Sequence, residues 1–348
     1  MFNRGYGSEH MHGHIPVPAE ITPIYNDQKA ICTIISDDGY YESGKQLDKL
    51  CSRHGLEATI AGAVKIVDQH LIGWKQIISH GNLEIVNHSY SHQRFDSFSG
   101  KDDEEELLRH ELLDSRDYLK QHFDSPGFCF VPPENNMTIA ADRMLLPNGI
   151  HAVRQGFNSD NPLSPAEGGN LLQWRNLGKH DIGGATSAED RNHWVDEALA
   201  NGRWLIEMWH DVCQSEMTGF HPISVDDADA HMRYLVSKKN DGLWVAKFSH
   251  AAAYLKERQH CSVQAEYIDK TTIEVSVDFT DDVLPRQEFT FPLTVKLPIS
   301  KAKQMKTKKY SSLLDRILGR KTHADNQASG CILVNVKPGS KAIVYLEP

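Results

Sequence analysis

Residues 30–39 read AICTIISDDG, and this stretch decides how the rest of the chain is organised. Ala30 to Ile35 is a short run rich in β-branched and apolar side chains. Such a run forms a strand buried on both faces, as in a parallel sheet covered by helices. Ser36-Asp37-Asp38-Gly39 then breaks the pattern, so the strand opens into a loop that begins with two carboxylates.

Outward from this strand, apolar runs alternate with amphipathic stretches. Ser43 to His54 has helical spacing and stops before Gly55; Glu57 to Ile60 and Leu83 to Val86 are further strands. Asp102 to His122 predicts a long helix. Leu107, Leu108, Leu112, Leu119 and Phe123 recur near a helical period, and acidic residues crowd the first turn, where the helix dipole favours them. Gly127 to Val131 is a strand stopped by Pro132-Pro133. Thr138 to Leu146 (helix), Ile150 to Val153 (strand), Ala188 to Ala200 (helix), Trp204 to Trp209 (strand), Asp226 to Lys238 (helix), Leu243 to Phe248 (strand) and His250 to Arg258 (helix) continue the series. Repeated strand–helix alternation at this length predicts an α/β parallel sheet closed into a barrel.

Past Arg258 the pattern changes. Val263 to Tyr267, Thr272 to Phe279, Glu288 to Leu297, Cys331 to Val336 and Lys341 to Leu346 alternate apolar and polar residues. Pro338-Gly339 supplies the turn before the last run. The expected layout is an N-terminal extension (1–28), a barrel (29–258) and a small antiparallel β-sandwich domain (259–348) with a basic insertion at 301–321. Within that insertion, Tyr310 to Leu318 reads as a short amphipathic helix. A solvated surface loop is the bland reading of the insertion, and polyanion or membrane-surface docking the other.

Composition narrows the class. The 348 residues include 37 Lys+Arg against 47 Asp+Glu, a net charge of -10, which argues against general nucleic-acid binding because that depends on phosphate neutralisation. No apolar run approaches the about 18 residues of a membrane span. The six cysteines contain no C-x-x-C pair, which speaks against a zinc knuckle or a thioredoxin-like motif. Cys32, Cys129 and Cys331 lie in strand-like runs; Cys261 and Cys331 could pair. No apolar signal segment opens the chain, so as written it reads as cytoplasmic, and as extracellular or periplasmic if the start was trimmed. Histidine is abundant, at 19 residues, which directs the search toward a metal site or imidazole chemistry.

Three features fall at strand ends, where α/β active sites are built. At the Asp37-Asp38-Gly39 turn two adjacent carboxylates can diverge, one to bind a metal and one to stay free as a base. Asn87-His88-Ser89-Tyr90-Ser91-His92 carries H-x-x-x-H, whose two imidazoles suit a single metal ion. Trp209-His210-Asp211 leaves another strand. Each alone has a bland explanation in turn chemistry or a structural histidine; together, in this order, they are specific. His10, His12 and His14 read as a flexible tail that would bind metal adventitiously. His221 reads equally as structural or substrate-lining.

With these motifs the chain resembles the polysaccharide deacetylase family, the NodB-homology metal-dependent deacetylases. Ile35-Ser36-Asp37-Asp38-Gly39 stands in the place of the family's T-F-D-D-G. His88-Ser89-Tyr90-Ser91-His92 matches its H-[ST]-x-x-H, and Met208-Trp209-His210 is similar to its late Leu-x-His. Gly219 to Ser224, Leu243 to Phe248 and Ala253 to Arg258 resemble the tail of its catalytic domain. The resemblance covers about residues 29 to 258 and implies a deformed (β/α) barrel. It implies Asp38, His88 and His92 as ligands of a divalent metal, zinc first, with cobalt, nickel or manganese able to take the same site. It further implies Asp37 as the general base acting on a metal-activated water, His210 as the acid for the leaving amine, and Pro133, Glu134 and Trp209 along the substrate site. The substrate so implied is an acetylated carbohydrate, N- or O-linked.

The chain departs from the family in two places. Phe130-Val131-Pro132-Pro133-Glu134 stands where the family has R-x-P-Y, so Val131 replaces the arginine that holds the base and Glu134 the tyrosine. Glu134 keeps the backbone N–H through which that tyrosine serves the oxyanion hole. Arg154, in Ala152-Val153-Arg154-Gln155-Gly156, is the candidate replacement for the arginine; a fold-stabilising role is the alternative. The family's D-x-x-D-W has no match. Asp160, Asp181 and Asp190 are the candidates to orient His210, and Trp174 or Trp194 could form the apolar wall or pack in the core. Loops 155–181 and 211–224 are expected to shape the substrate groove. Two rival functions stay open: a carbohydrate-binding protein impaired in catalysis, and a cytoplasmic amidase acting on a small non-sugar amide.

Overall fold

The computed structural model describes residues 15–156, 160–163, 179–183, 185–214, 217, 219–298 and 331–346. The histidines at 10–14, Trp174 and the whole insertion at 301–321, with its expected helix, lie outside them. The chain divides into two units: residues 28–256 with 285–289, and residues 1–27 with 257–284 and 290–348.

The larger unit is built on the strand Ala30–Ser36, every residue of which is buried. Arg203–Trp209 runs parallel along its whole length, with Trp209 opposite Ser36. On the other side, Leu243–Val245 pairs with Ala30 to Cys32, and Ala58–Gly62 takes over at Ile35 and Ser36. Leu83–Asn87, Cys129–Phe130 and Ala152–Val153 follow in parallel order. Among the described residues of this sheet only Asn161–Pro162 is antiparallel, against Arg203 and Trp204. Parallel strands present their C-terminal ends at one edge, so the residues after Ser36, Asn87, Val153 and Trp209 gather there.

The sheet is a curled, deformed (β/α) barrel that stays open. Among the described residues its outer strands, Ala152–Val153 and Asn161–Pro162, do not pair with each other. Helices Tyr41–His54, Leu71–Ser79 and Val225–Lys238 bury Leu47, Leu50, Trp74, Ile77, Met232 and Leu235 in one core with the sheet. A second core gathers Phe95, Phe98, Leu108, Leu112, Phe130 and Val153.

The helix expected over 102–122 is present but not regular: Glu104–Arg109 and Ser115–Phe123 flank a π-turn at His110–Asp114. The Ser115 N–H reaches back five residues to the His110 carbonyl. Leucine periodicity cannot reveal one inserted residue, because apolar contacts continue on both sides of it. The expected strand Leu243 to Phe248 ends at Val245, and Phe248 already opens the helix Phe248–His260.

In the smaller unit, Ile15–Pro16, Cys261–Tyr267, Thr272–Phe279 and Ser340–Tyr345 form one antiparallel sheet. Glu20–Ile21, Leu293–Pro298 and Cys331–Val336 form another. Alternation buries Ile273, Val275 and Val277 in the first, and Leu293, Val295 and Leu297 in the second. The segment expected as an N-terminal extension thus contributes a short strand to each sheet. The strand expected from Glu288 begins only at Leu293. Pro292 has no N–H to give a ladder, and Phe289 is buried against Phe128 and His151 of the larger unit, to which it belongs. None of the six cysteines forms a disulfide, so Cys261 and Cys331 do not pair.

Candidate metal centre

The carboxylates of Asp37 and Asp38 leave the strand in different directions because the turn is left-handed. Asp38 has φ 71° and Gly39 φ 88°. A Cβ on Gly39 would lie 2.7 Å from Val67 Cγ2 and 3.2 Å from the Gly62 backbone, so this turn requires glycine. The Asp38 carbonyl accepts the Ala63 N–H at 3.1 Å, which ties the turn to the neighbouring strand.

Asp38 faces the two imidazoles that follow the strand Leu83–Asn87. His88 Nδ1 lies 2.7 Å from the Val131 carbonyl, so its N–H donates there and Nε2 is left for the pocket, 3.4 Å from Asp38 Oδ1. His92 Nε2 lies 2.9 Å from the same oxygen. Ser89 Oγ accepts the His92 N–H at 3.0 Å and so closes the loop. One ligand atom from each of Asp38, His88 and His92 falls within 4.8 Å of the others. Two imidazole nitrogens and a carboxylate oxygen suit a borderline divalent ion and leave positions for solvent and substrate, so these residues fit the implied metal.

The electrostatics agree with that geometry. Burial by itself would raise the Asp38 carboxyl. Hydrogen bonds from His88 and His92, with their charges, outweigh it and hold the group well below the usual carboxylate range. His92 is raised, first by its hydrogen bond to Asp38, against the opposing effect of burial.

Asp37 belongs to a separate pair. Arg154 Nη2 donates to Asp37 Oδ2 at 2.6 Å, and the arginine side chain is 1% exposed. Asp37 Oδ1 is buried and has no hydrogen-bond partner among the described residues. Val131, in the family arginine's place, instead acts through its carbonyl on His88. His210 is positioned by its backbone: its carbonyl accepts the Ser36 and Ser43 hydroxyls at 2.9 and 3.0 Å. The Asp37 N–H donates to the Trp209 carbonyl at 2.8 Å, locking the two strand ends together. Burial lowers the His210 imidazole, and the nearby Asp37 and Asp38 oppose that only in part. The rings of Phe220 and His221 lie 4.8 and 6.2 Å from it, centroid to centroid.

Several expected roles do not survive. Trp209 does not line the substrate site: it is fully buried, packs in the main core and donates Nε1–H to Glu207 at 3.0 Å. Strand alternation explains this, since neighbours along a strand point to opposite faces and His210 takes the pocket side. Asp160, Asp181 and Asp190 each serve another group, respectively His180, Lys179 and the helix start at Ser187. His210 Nδ1 has no hydrogen-bond partner among the described residues. Trp194 lies against His180, ring centroids 4.4 Å apart and tilted by 30°, and packs against the core. Pro133 is buried, while Glu134 is exposed, with φ 51°, and pairs with Arg94 at 2.9 Å.

Sequence reasoning missed Ser36, Ser43, Asn87, Glu111 and Lys179. Asn87, directly before His88, was the one with a visible signal. Lys179 is buried beside Met208 with its ammonium 2.8 Å from Asp181. Burial, and then the charge of Arg154, lower its pKa.

The C-terminal edge of this curled, mainly parallel α/β sheet thus carries an Asp-His-His cluster and a clamped second aspartate. Residues 25–151 match the family model described as polysaccharide deacetylase. Among solved structures, a Mycobacterium smegmatis protein assigned as a polysaccharide deacetylase is 12% identical with a TM-score of 0.50, over 70% of this chain and 96% of that one. Peptidoglycan deacetylase PdaC from Bacillus subtilis is 16% identical, with a TM-score of 0.41 over 68% and 95%. BA3943 from Bacillus anthracis, described as a pseudoenzyme, is 13% identical, with a TM-score of 0.43 over 66% of each chain. No curated protein matches the sequence. No helix among the described residues is long and apolar enough to cross a membrane.

Proposed function

We propose that this protein is a divalent-metal-dependent hydrolase that removes an acetyl group from a carbohydrate. The observation that carries the reading is the division of labour at the strand edge: Asp38, His88 and His92 converge while Asp37 is held apart by Arg154. A metal held by the first three would supply Lewis acidity to the acyl carbonyl and to an attacking water. Asp37 takes up the proton at Oδ1, which has no partner among the described residues, while Arg154 keeps the carboxylate oriented through Oδ2. His210 delivers a proton to the departing group, which an amine needs far more than an alcohol does. Glu134, beside the pocket, offers its backbone N–H toward the developing oxyanion.

Arg154 also bears on the rival reading of an impaired binding protein. That reading drew on the arginine missing at position 131, and a cation reaches Asp37 by another route. The test is metal analysis of the purified protein combined with acetate release from acetylated chito-, xylo- and peptidoglycan fragments. Stoichiometric metal with acetate release from at least one glycan is expected. Glycan binding without release would favour the impaired protein, and release only from small non-sugar amides would favour the amidase.

A further inference from the structure

We propose that Glu111 is the positioning residue of the metal-ligating loop, and that the π-turn exists to carry it there. The proposal rests on the metal-site reading above.

Glu111 lies in a helix that also buries Leu108, Leu112, Leu113, Ser115, Leu119 and Phe123, and it is itself buried, at 4% exposed. Among the described residues its carboxylate meets only neutral donors, all of one loop. Glu111 Oε2 accepts the N–H groups of Tyr90 and Ser91 at 3.0 and 2.8 Å, and Oε1 accepts the Ser91 hydroxyl at 2.5 Å. These are the residues between the two histidine ligands. A buried carboxylate is costly unless its lone pairs are satisfied, and here one loop supplies three hydrogens.

That loop needs holding. Ser89 and His92 sit at φ 69° and 61°, a region non-glycine residues seldom occupy. Asn87 secures the start: its Oδ1 accepts the Ser89 N–H at 3.0 Å and the Ser115 hydroxyl at 2.8 Å, and its Nδ2 donates to the Leu112 carbonyl at 2.8 Å. Glu111, Leu112 and Ser115, which grip the loop, all lie in or next to the π-turn. An inserted residue rotates the helix register, bringing both a carboxylate and a carbonyl to the loop without breaking the leucine contacts on either side. The separation of His88 Nε2 and His92 Nε2 is thereby set from the helix, and with it the fit of the ion.

The experiment measures zinc affinity of the full-length chain by competition with a chromophoric chelator, alongside thermal unfolding of the metal-free form. Glu111→Ala should weaken zinc binding by about tenfold or more, at the low end for groups that orient ligands. Glu111→Gln should lose less, because its oxygen can still accept the Tyr90 and Ser91 N–H groups while its NH2 donates to the Ser91 hydroxyl. Ser91→Ala, which removes one of the three bonds, should show a smaller loss and covers the case in which the Glu111 variants do not fold. Glu111→Asp should recover part of the affinity. Wild-type affinity in the folded variants, with only a lower unfolding temperature, would mean that Glu111 merely stabilises the fold, and the proposal would be overturned. If the wild type itself takes up no zinc, the metal reading fails first and this proposal goes with it.

Discussion

Arg154 and Asp37 are 117 positions apart in sequence and joined by a buried hydrogen-bonded ion pair of 2.6 Å. The pair lies next to the Asp-His-His cluster without belonging to it. Breaking it exposes what each half does.

Arg154→Lys keeps the charge but loses the planar fork, and Arg154→Ala loses both. Turnover should fall by about 100-fold or more, the scale of a misdirected general base, while zinc content stays at the wild-type level. Arg154→Ala should also lower stability by about 3–5 kcal/mol, because it leaves a buried carboxylate uncompensated. Asp37→Asn should be inactive yet still loaded with metal. Steady-state kinetics with elemental analysis decide it, and an Arg154→Lys variant with wild-type turnover would remove Arg154 from the mechanism.

His88→Ala and Asp38→Asn should abolish stoichiometric metal and turnover together. The far-ultraviolet circular dichroism should stay close to wild type, since the apolar cores do not include these side chains. Chelation of the wild type should give the same inactive, folded state, with activity returning on addition of zinc.

The pH dependence follows from His210. Burial places its pKa below the ordinary value for histidine, so as pH rises the proton it must donate is lost early. For an N-acetyl substrate, kcat/KM should therefore decline on the alkaline side of that lowered pKa. An O-acetyl substrate, whose leaving alcohol needs less protonation, should not show this limb. In His210→Asn the amide reaction should be slow and the limb absent. A limb of equal size for ester and amide would rule out His210 as the acid.

Trp209→Phe tests the reassignment of that residue to the core. It removes the donor to buried Glu207 and should lower stability by about 1–3 kcal/mol, the cost of an unsatisfied acceptor. KM for the glycan should stay unchanged. A raised KM at unaltered stability would return Trp209 to the substrate site.

The order of elements, the strand ends and three converging motifs could be read from the amino-acid sequence because they are local. Ala30 to Ile35 declares a buried strand, Asp-Asp-Gly a turn, and His88 with His92 a ligand pair, each within a few residues. Tertiary structure decided everything that depended on contacts across the chain. Arg154 could be named as a candidate for the missing arginine from its place at a strand end, with a fold-stabilising role equally open; only two separated strands ending at the same edge put its guanidinium on Asp37. Trp209 and His210 are neighbours in sequence and were read together, but the pleat sends one into the core and the other to the pocket. Glu111 sits in a leucine-rich helix and gave no local signal. Its role arises from a π-turn and from a loop 20 residues earlier, whose left-handed backbone only a packed helix could hold in place.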